Sequence, residues 1–519
     1  MKKQFVFHPI LIALFPVLLI YSQNAHLVLF EGIIFPILII LAVAIIFWIA
    51  LRFVLKNIVK SALITSLYIF LFFSYGHIFN VINTNFSLDN SSFINLGILI
   101  SYGVIVSLLT YYFIKTKREL NNLTSITNMM SIALVAFIIF NISVFTFQND
   151  LTTLDSEDVN FDFENIKLFL ENKPSVYYII MDEYAPLRTL EKVYEYDNSD
   201  FIKFLEDEGF FVTKNSHSNY AETFLSLAST LNMKYLNYLT DIVGQDSLDQ
   251  RIPYQMTNNN LVMKNFKSLG YKIYNFDSGW WGTRNLVVAD ENLCAANQNM
   301  DFHTLYELKQ TSILRSVDLF IKQTTQKIFH EERRDRIHCE FQEILELHDK
   351  TAEPIFALMH VMAPHDPYVF GPNGEVVDYD YTFGETAKKD YLNKSPNLQA
   401  YLDQSTYLTK LLKETVTTIL ERSDNSIIII QSDTGPDITF SNLTDAQHKL
   451  GRMSIFNAYY FPEQKYDLLH DEITPINSFR VIFDSYFGTN YELLNDEVFF
   501  STYAKPYVLE QITDYTIFP

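Results

Sequence analysis

Cysteine is nearly absent from this chain, with two residues, Cys294 and Cys339, among 519. So few, with no short spacing between them, exclude a disulfide-dense scaffold and a cysteine-built metal cluster. An oxidising compartment would permit one bridge, closing a loop of about 45 residues, and the sequence leaves that pairing open. Basic residues are also scarce, 39 Lys and Arg against 60 Asp and Glu, for a net charge of −21. Nucleic-acid affinity comes largely from neutralising phosphates, so this balance argues against such a partner. Anionic lipid headgroups would repel it too unless a metal or a local basic pocket intervenes. No internal repeat and no low-complexity tract is present.

Long apolar runs, by contrast, are plentiful at one end. Five of them occupy positions 5–21, 27–51, 61–79, 93–114 and 127–147. Each reaches the length of roughly 17–25 residues that a helix needs to cross a bilayer. Basic residues alternate from loop to loop: Lys2 and Lys3 precede the first run, Arg52, Lys56 and Lys60 follow the second, and Lys115, Lys117 and Arg118 follow the fourth. The other two loops carry none. Retention of basic loops on the cytoplasmic side then places the N-terminus inside and, after an odd number of crossings, the remainder outside. The first run is short and holds Pro9 and Pro16, so a signal peptide is its rival reading, although no small-residue cleavage site follows. Eight basic and four acidic residues lie in positions 1–150, so the rest of the chain carries the whole acidic excess.

The expected organisation is therefore a five-helix transmembrane region over 1–150, a polar acidic tether over 151–175 and an exported domain over 176–519. Within that domain, continuous apolar runs at 176–181, 271–276, 355–361, 426–431 and 456–461 read as strands buried on both faces, as in a parallel sheet covered by helices. Helical patterns at 199–209, 224–238, 260–270 and 397–422 alternate with them. The fold class expected is α/β, one large mostly parallel sheet with helices on both faces.

In such sheets ligands gather beyond the carboxyl ends of the strands. Asp182 follows the first strand, His360 and His365 flank the end of another, and Asp433 follows a third. Thr223 and Ser226 open a helix, where backbone N–H groups favour an anion. Two carboxylates, a hydroxyl and histidines at one edge describe metal-assisted group transfer. Each also has an ordinary explanation: Thr223 as a helix cap, Asp182 and Asp433 as turn residues, His360 as a satisfied buried histidine. Lys214, Arg284 and Arg452 are candidate anion contacts or solvated charges. Trp280 and Trp281 would stack on a sugar, sit at a membrane interface or pack in the core.

Four blocks in order, Val176 to Asp182, Tyr220 to Ser229, His360 to Tyr368 and Ser432 to Pro436, resemble the sulfatase-like branch of the alkaline phosphatase superfamily. The chain is similar to its membrane-anchored members, the lipoteichoic acid synthases and the lipid A phosphoethanolamine transferases. The resemblance implies that Asp182 and Asp433 are metal ligands, that Thr223 is both nucleophile and ligand, and that His365 contacts the substrate or leaving group. It also exposes a departure. The family places a metal-ligand histidine directly after the Asp433 position, and this chain has Thr434, a weak neutral donor. Glu183, His360, His448 and Arg452 are candidates to compensate, Glu183 by offering oxygen to a harder ion such as Mg²⁺ or Ca²⁺. The short Cys/Ser-x-Pro-x-Arg motif of true sulfatases is missing, which favours phosphorus chemistry over sulfate esters.

Two functions follow from this. One is an envelope enzyme at the inner (plasma) membrane, multi-pass, with its C-terminal domain on the periplasmic or extracellular side. It would move phosphoethanolamine or phosphoglycerol from a phospholipid donor to a surface glycan or lipid acceptor, using one divalent metal (Mn, Zn, Mg or Ca). The other is an inactive glycan-binding or scaffold protein whose metal is weakened or absent because of Thr434.

Overall fold

The computed structural model describes residues 5–24, 30–86, 91–150, 173–295, 302–377, 396–423, 425–437 and 443–515. These fall into two compact units: Met1–Leu154 with Asn297–Gln326, and Asp155–Ala296 with Lys327–Pro519. Most of the expected tether, 151–172, lies outside the described residues.

The first unit is built on helices α1 (His8–Asn24), α2 (Glu31–Leu55), α3 (Ile58–Phe86), α4 (Ser91–Lys115) and α5 (Asn121–Asp150). Spans Gly32–Leu55, Ile58–Ile82, Ile94–Lys115 and Asn121–Val144 are long and apolar enough to cross a membrane. The first helix, with 17 residues and Pro16 inside it, is shorter than these. Four helices are therefore long and apolar enough to cross among the described residues, and the expected fifth crossing rests on α1. Some polar side chains within this unit are paired: Asn128 Oδ1 accepts from the His8 backbone N–H (3.0 Å), and His8 Nδ1 lies 2.6 Å from Ser66 Oγ. Such pairing is what an apolar solvent demands of polar groups.

The second unit is organised by a seven-stranded sheet in the order β2-β7-β6-β1-β5-β3-β4. Its strands are β1 (Ser175–Met181), β2 (Phe211–Val212), β3 (Lys272–Phe276), β4 (Glu291–Leu293), β5 (Ile355–Val361), β6 (Ser426–Gln431) and β7 (Asn457–Tyr460). Neighbours from β6 through β1, β5 and β3 to β4 are parallel, whereas β7 runs antiparallel to both β6 and β2. The sheet is thus mixed and mostly parallel. The alternation of side chains along β1 separates two cores. Val176, Tyr178 and Ile180 join Phe266, Phe356, Phe479 and Phe483 on one face, while Tyr177, Ile179 and Met181 join Phe341, Leu412 and Phe456 on the other. Burying such side chains is worth roughly 1.5–3 kcal/mol apiece, which explains why β1 reads as continuously apolar.

Both cores are closed by helices, including Thr223–Asn232, Leu261–Ser268 and Pro475–Phe487 over the first and Ser199–Asp207 and Pro396–Arg422 over the second. The helix Leu314–Lys350, whose residues from Lys327 onward belong to this unit, also covers the second core with Ile337, Phe341 and Ile344. A hairpin of β8 (Val498–Thr502) and β9 (Lys505–Ile512) completes the described strands. Cys294 and Cys339 are joined in a disulfide, so the pairing that the sequence left open is made.

Candidate active site

The central strand β1 pairs with β5 on one side and β6 on the other, with Ile180 in register with His360 and with Gln431. All three chains leave the sheet at the same edge. Asp182, one residue beyond β1, His360, the penultimate residue of β5, and Asp433, two residues beyond β6, therefore converge. One ligand atom from each can be chosen so that all three lie within 4.8 Å of one another, and all three residues are buried. Neither carboxylate oxygen of Asp182 has a hydrogen-bond partner, nor does Nε2 of His360 or Oγ1 of Thr434. Buried polar atoms in a native fold are nearly always paired, so this cluster of orphans requires a binding partner of its own. Two carboxylates and an imidazole nitrogen are the donor set of a divalent cation.

Electrostatics point the same way. Burial, then the adjacent Asp433, pushes the Asp182 carboxyl well above the usual carboxylate range. Burial lowers His360 to about 4, leaving it a neutral donor of a lone pair. Its Nδ1 is 2.9 Å from Thr283 Oγ1, and Trp280 packs edge-on against the ring with centroids 5.6 Å apart. An orienting partner on the second nitrogen is the usual arrangement of a metal-binding histidine.

Thr223 is the first residue of its helix, and its Oγ1 donates a 2.6 Å hydrogen bond to Asp433 Oδ2. Ser226, one turn on, donates to the Asp433 carbonyl at 2.7 Å, which locks the helix terminus to the β6 loop. No side-chain cap closes this terminus, and since the Leu225 and Ser226 N–H groups donate to the Glu222 carbonyl, its dipole and the N–H groups of Thr223 and Phe224 are what it offers an anion brought against Thr223.

Glu183 has a different place. Its backbone is left-handed (φ 63°), its N–H donates to Asp433 Oδ1 at 3.3 Å, and its carboxylate accepts from Arg452 Nη1. The same guanidinium donates from Nε to the Ala221 carbonyl (3.1 Å) and from Nη1 to the Gly435 carbonyl (2.7 Å). Arg452 thus ties together the segments that carry Asp182, Thr223 and Asp433. His365 lies with Nε2 3.9 Å from Glu183 Oε1 and Nδ1 3.0 Å from Asp366 Oδ1. Burial opposes its protonation, but Glu183, Asp182 and Asp366 outweigh that and hold it well above its ordinary value. His448 lines the same cavity, of about 740 Å³, together with Asp182, Glu183, Thr223, His365 and Arg452.

Several contributors carried no signal in the sequence. Glu222, beside Thr223, lines the cavity, and burial raises it to about 7. Arg333 donates to the carbonyls of Met362 and His365, the latter at 2.8 Å, from the middle of a long polar helix. Thr283 lies in a loop, and Thr502 and Tyr503 reach the cavity from the β8–β9 hairpin. Trp280 belongs to the cavity wall as well, whereas the Trp281 ring packs 5.4 Å from the Arg284 guanidinium. Lys214 pairs with Asp471 at an exposed position away from the cavity lining.

The sequence profile of one family, described as Sulfatase, matches residues 175–479. Among solved structures, the C-terminal periplasmic domain of EcEptC from Escherichia coli aligns at 12% identity and a TM-score of 0.37, covering 66% of this chain and 93% of that one. The integral membrane lipooligosaccharide phosphoethanolamine transferase A of Neisseria meningitidis aligns at 11% identity and a TM-score of 0.35, covering 92% and 95%. A protein from Bacteroides thetaiotaomicron described as a putative sulfatase gives 12% identity and a TM-score of 0.39, covering 62% and 72%. No curated protein sequence matches the chain.

Proposed function

Because the chain belongs to the sulfatase family, we propose that it is a membrane-tethered phospho-substituent transferase of the cell envelope. Its donor would be a phospholipid carrying phosphoethanolamine or phosphoglycerol, and its acceptor a hydroxyl on an envelope glycan or lipid. The carrying observation is the Thr223 hydroxyl, set at a helix N-terminus and bonded to Asp433 at the mouth of the orphaned acidic cluster. A threonine at this position, without the short motif that sulfatases mature, suits phosphorus and not sulfur. Basic loops confined to alternate sides of the apolar spans support a domain on the outer face of the inner membrane, beside lipid donors.

Asp182, Asp433 and His360 would hold one divalent cation, with Thr223 beside them. When bound, that ion lowers the pKa of the Thr223 hydroxyl and neutralises charge on the phosphoryl oxygens. Thr223 Oγ1 attacks phosphorus while its proton passes to Asp433 Oδ2. The bond from phosphorus to the diacylglycerol oxygen breaks, and protonated His365 gives its proton to that leaving alkoxide. The acceptor hydroxyl then attacks the phosphothreonine and yields its proton to His365. The bond to Oγ1 breaks and Thr223 regains its proton from Asp433. The N–H groups of Thr223 and Phe224 at the helix start stabilise the developing negative charge in both halves. With its nitrogen donor supplied by His360, the donor set is better suited to Zn²⁺ or Mn²⁺ than to Ca²⁺.

The test is covalent. The full-length protein in vesicles of phosphatidylethanolamine, and separately of phosphatidylglycerol, is digested and searched by mass spectrometry for a headgroup phosphate on Thr223. Release of diacylglycerol is followed alongside. Labelling in one vesicle type names the donor, whereas no labelling and no diacylglycerol in either sinks the transferase reading.

A further inference from the structure

We infer that His360, on the strand opposite Asp433, supplies the nitrogen ligand that Thr434 cannot. The inference deepens the reading above and rests on its placement of a divalent cation between Asp182 and Asp433. Residue 434 lies on the β6 side of β1 and offers only a buried hydroxyl without a hydrogen-bond partner. His360 lies on the β5 side, its main chain in register with Ile180, two residues before Asp182. The ion would thus be gripped from both flanks of the central strand, with one ligand from each of three adjacent chains.

Three observations carry this. Nε2 of His360 is buried and unpartnered, and His360 groups with Asp182 and Asp433 as potential metal ligands among the described residues. Nδ1 is occupied by Thr283 Oγ1 at 2.9 Å, and Thr283 Oγ1 is itself 2.8 Å from Ser278 Oγ. A hydrogen on Nδ1 donated to Thr283 leaves the lone pair on Nε2, the tautomer that a metal needs. The competing oxygen donor is engaged elsewhere, since the Glu183 carboxylate is held by Arg452. Thr283 is accordingly a positioning residue, and its own side chain is not a ligand.

The full-length protein in detergent is loaded with Mn²⁺ and its nitrogen hyperfine coupling is read by pulsed electron paramagnetic resonance. The wild type is expected to show a directly coordinated imidazole nitrogen. His360→Gln is expected to remove that coupling, while His448→Gln keeps it. Thr283→Val should keep the coupling but weaken Mn²⁺ and Zn²⁺ binding by about 10–100-fold, the effect typical of losing a ligand's orienting partner. A wild type without nitrogen coupling, which needs no variant to fold, overturns the inference, as does coupling that survives in His360→Gln. Nitrogen-bound Mn²⁺ in a protein that transfers no headgroup removes the transferase reading alone. Transfer by a protein whose Mn²⁺ has no nitrogen ligand removes this inference alone, and failure to bind either ion removes both.

Discussion

Replacing Arg452 by Met separates the architecture of the site from its chemistry. The guanidinium is 16% exposed and its partner Glu183 is 10% exposed, so solvent screens neither strongly. Removing one partner of such a pair leaves an uncompensated buried charge, at a cost of roughly 3–5 kcal/mol. The carbonyls of Ala221 and Gly435 lose their donor in the same change, which adds about 1 kcal/mol or more. At about 2 °C per kcal/mol, the lower end of the range for domains of this order, the melting temperature falls by roughly 8–12 °C. Glu183→Gln removes the charge that the loss of Arg452 strands. In the double variant about half or more of the loss is therefore expected to return, a coupling of about 2–3 kcal/mol. Melting of the full-length protein at one scan rate, metal-free and metal-loaded, measures all four corners of the cycle. Equal destabilisation of Arg452→Met with and without Glu183→Gln would show that the pair is not what holds these loops together.

Three further outcomes follow. Thr223→Ala should reduce headgroup transfer by about a thousandfold or more, with Thr223→Ser retaining part of the rate, and activity in the Ala variant near that of the wild type would exclude Thr223 as nucleophile. His217, buried against Tyr515 and away from the cavity lining, is lowered to about 4 by burial and by Arg188. It is neutral in the fold, so the unfolded chain gains a proton first as pH falls below about 6.5; stability of about 3 kcal/mol is lost between there and pH 4. His217→Phe should flatten the acid limb of the melting profile by that amount, and an unchanged limb would refute the assignment. A Cβ on Gly435 would stand 2.3 Å from the Gly451 carbonyl oxygen and 2.5 Å from that of Ser454. Because those are backbone atoms, Gly435→Ala should displace the Asp433–Thr434 loop and lower melting temperature and metal occupancy together; a loss of neither would mean that the loop is free to move.

Much of the architecture was written locally. Strand β1 is apolar from Val176 to Met181 because both its faces meet helices, and the runs at 355–361 and 426–431 match β5 and β6 for the same reason. The 456–461 run also forms a strand, but nothing in its composition records that β7 runs antiparallel. The helix expected to reach Tyr238 stops at Asn232, where Met233 turns left-handed at φ 53°. The long Leu314–Lys350 helix and the β8–β9 hairpin had no distinctive periodicity to announce them.

The site divides along the same line. By itself the sequence determined that apolar spans precede an α/β domain, and it marked Asp182, Thr223 and Asp433 as acids and a hydroxyl beside strand ends and a helix start. Those properties depend on residues a few positions apart, where periodicity and turn chemistry act. The tertiary structure alone decided that Thr223 meets Asp433 across 210 residues and that Arg452 meets Glu183 across 269. It also decided that His360 faces two carboxylates while Glu183 does not. Such contacts are set by the order of strands in the sheet and the direction in which each chain leaves it. That order comes from burying both faces of β1 at once, a property of the whole domain that no short stretch of residues carries.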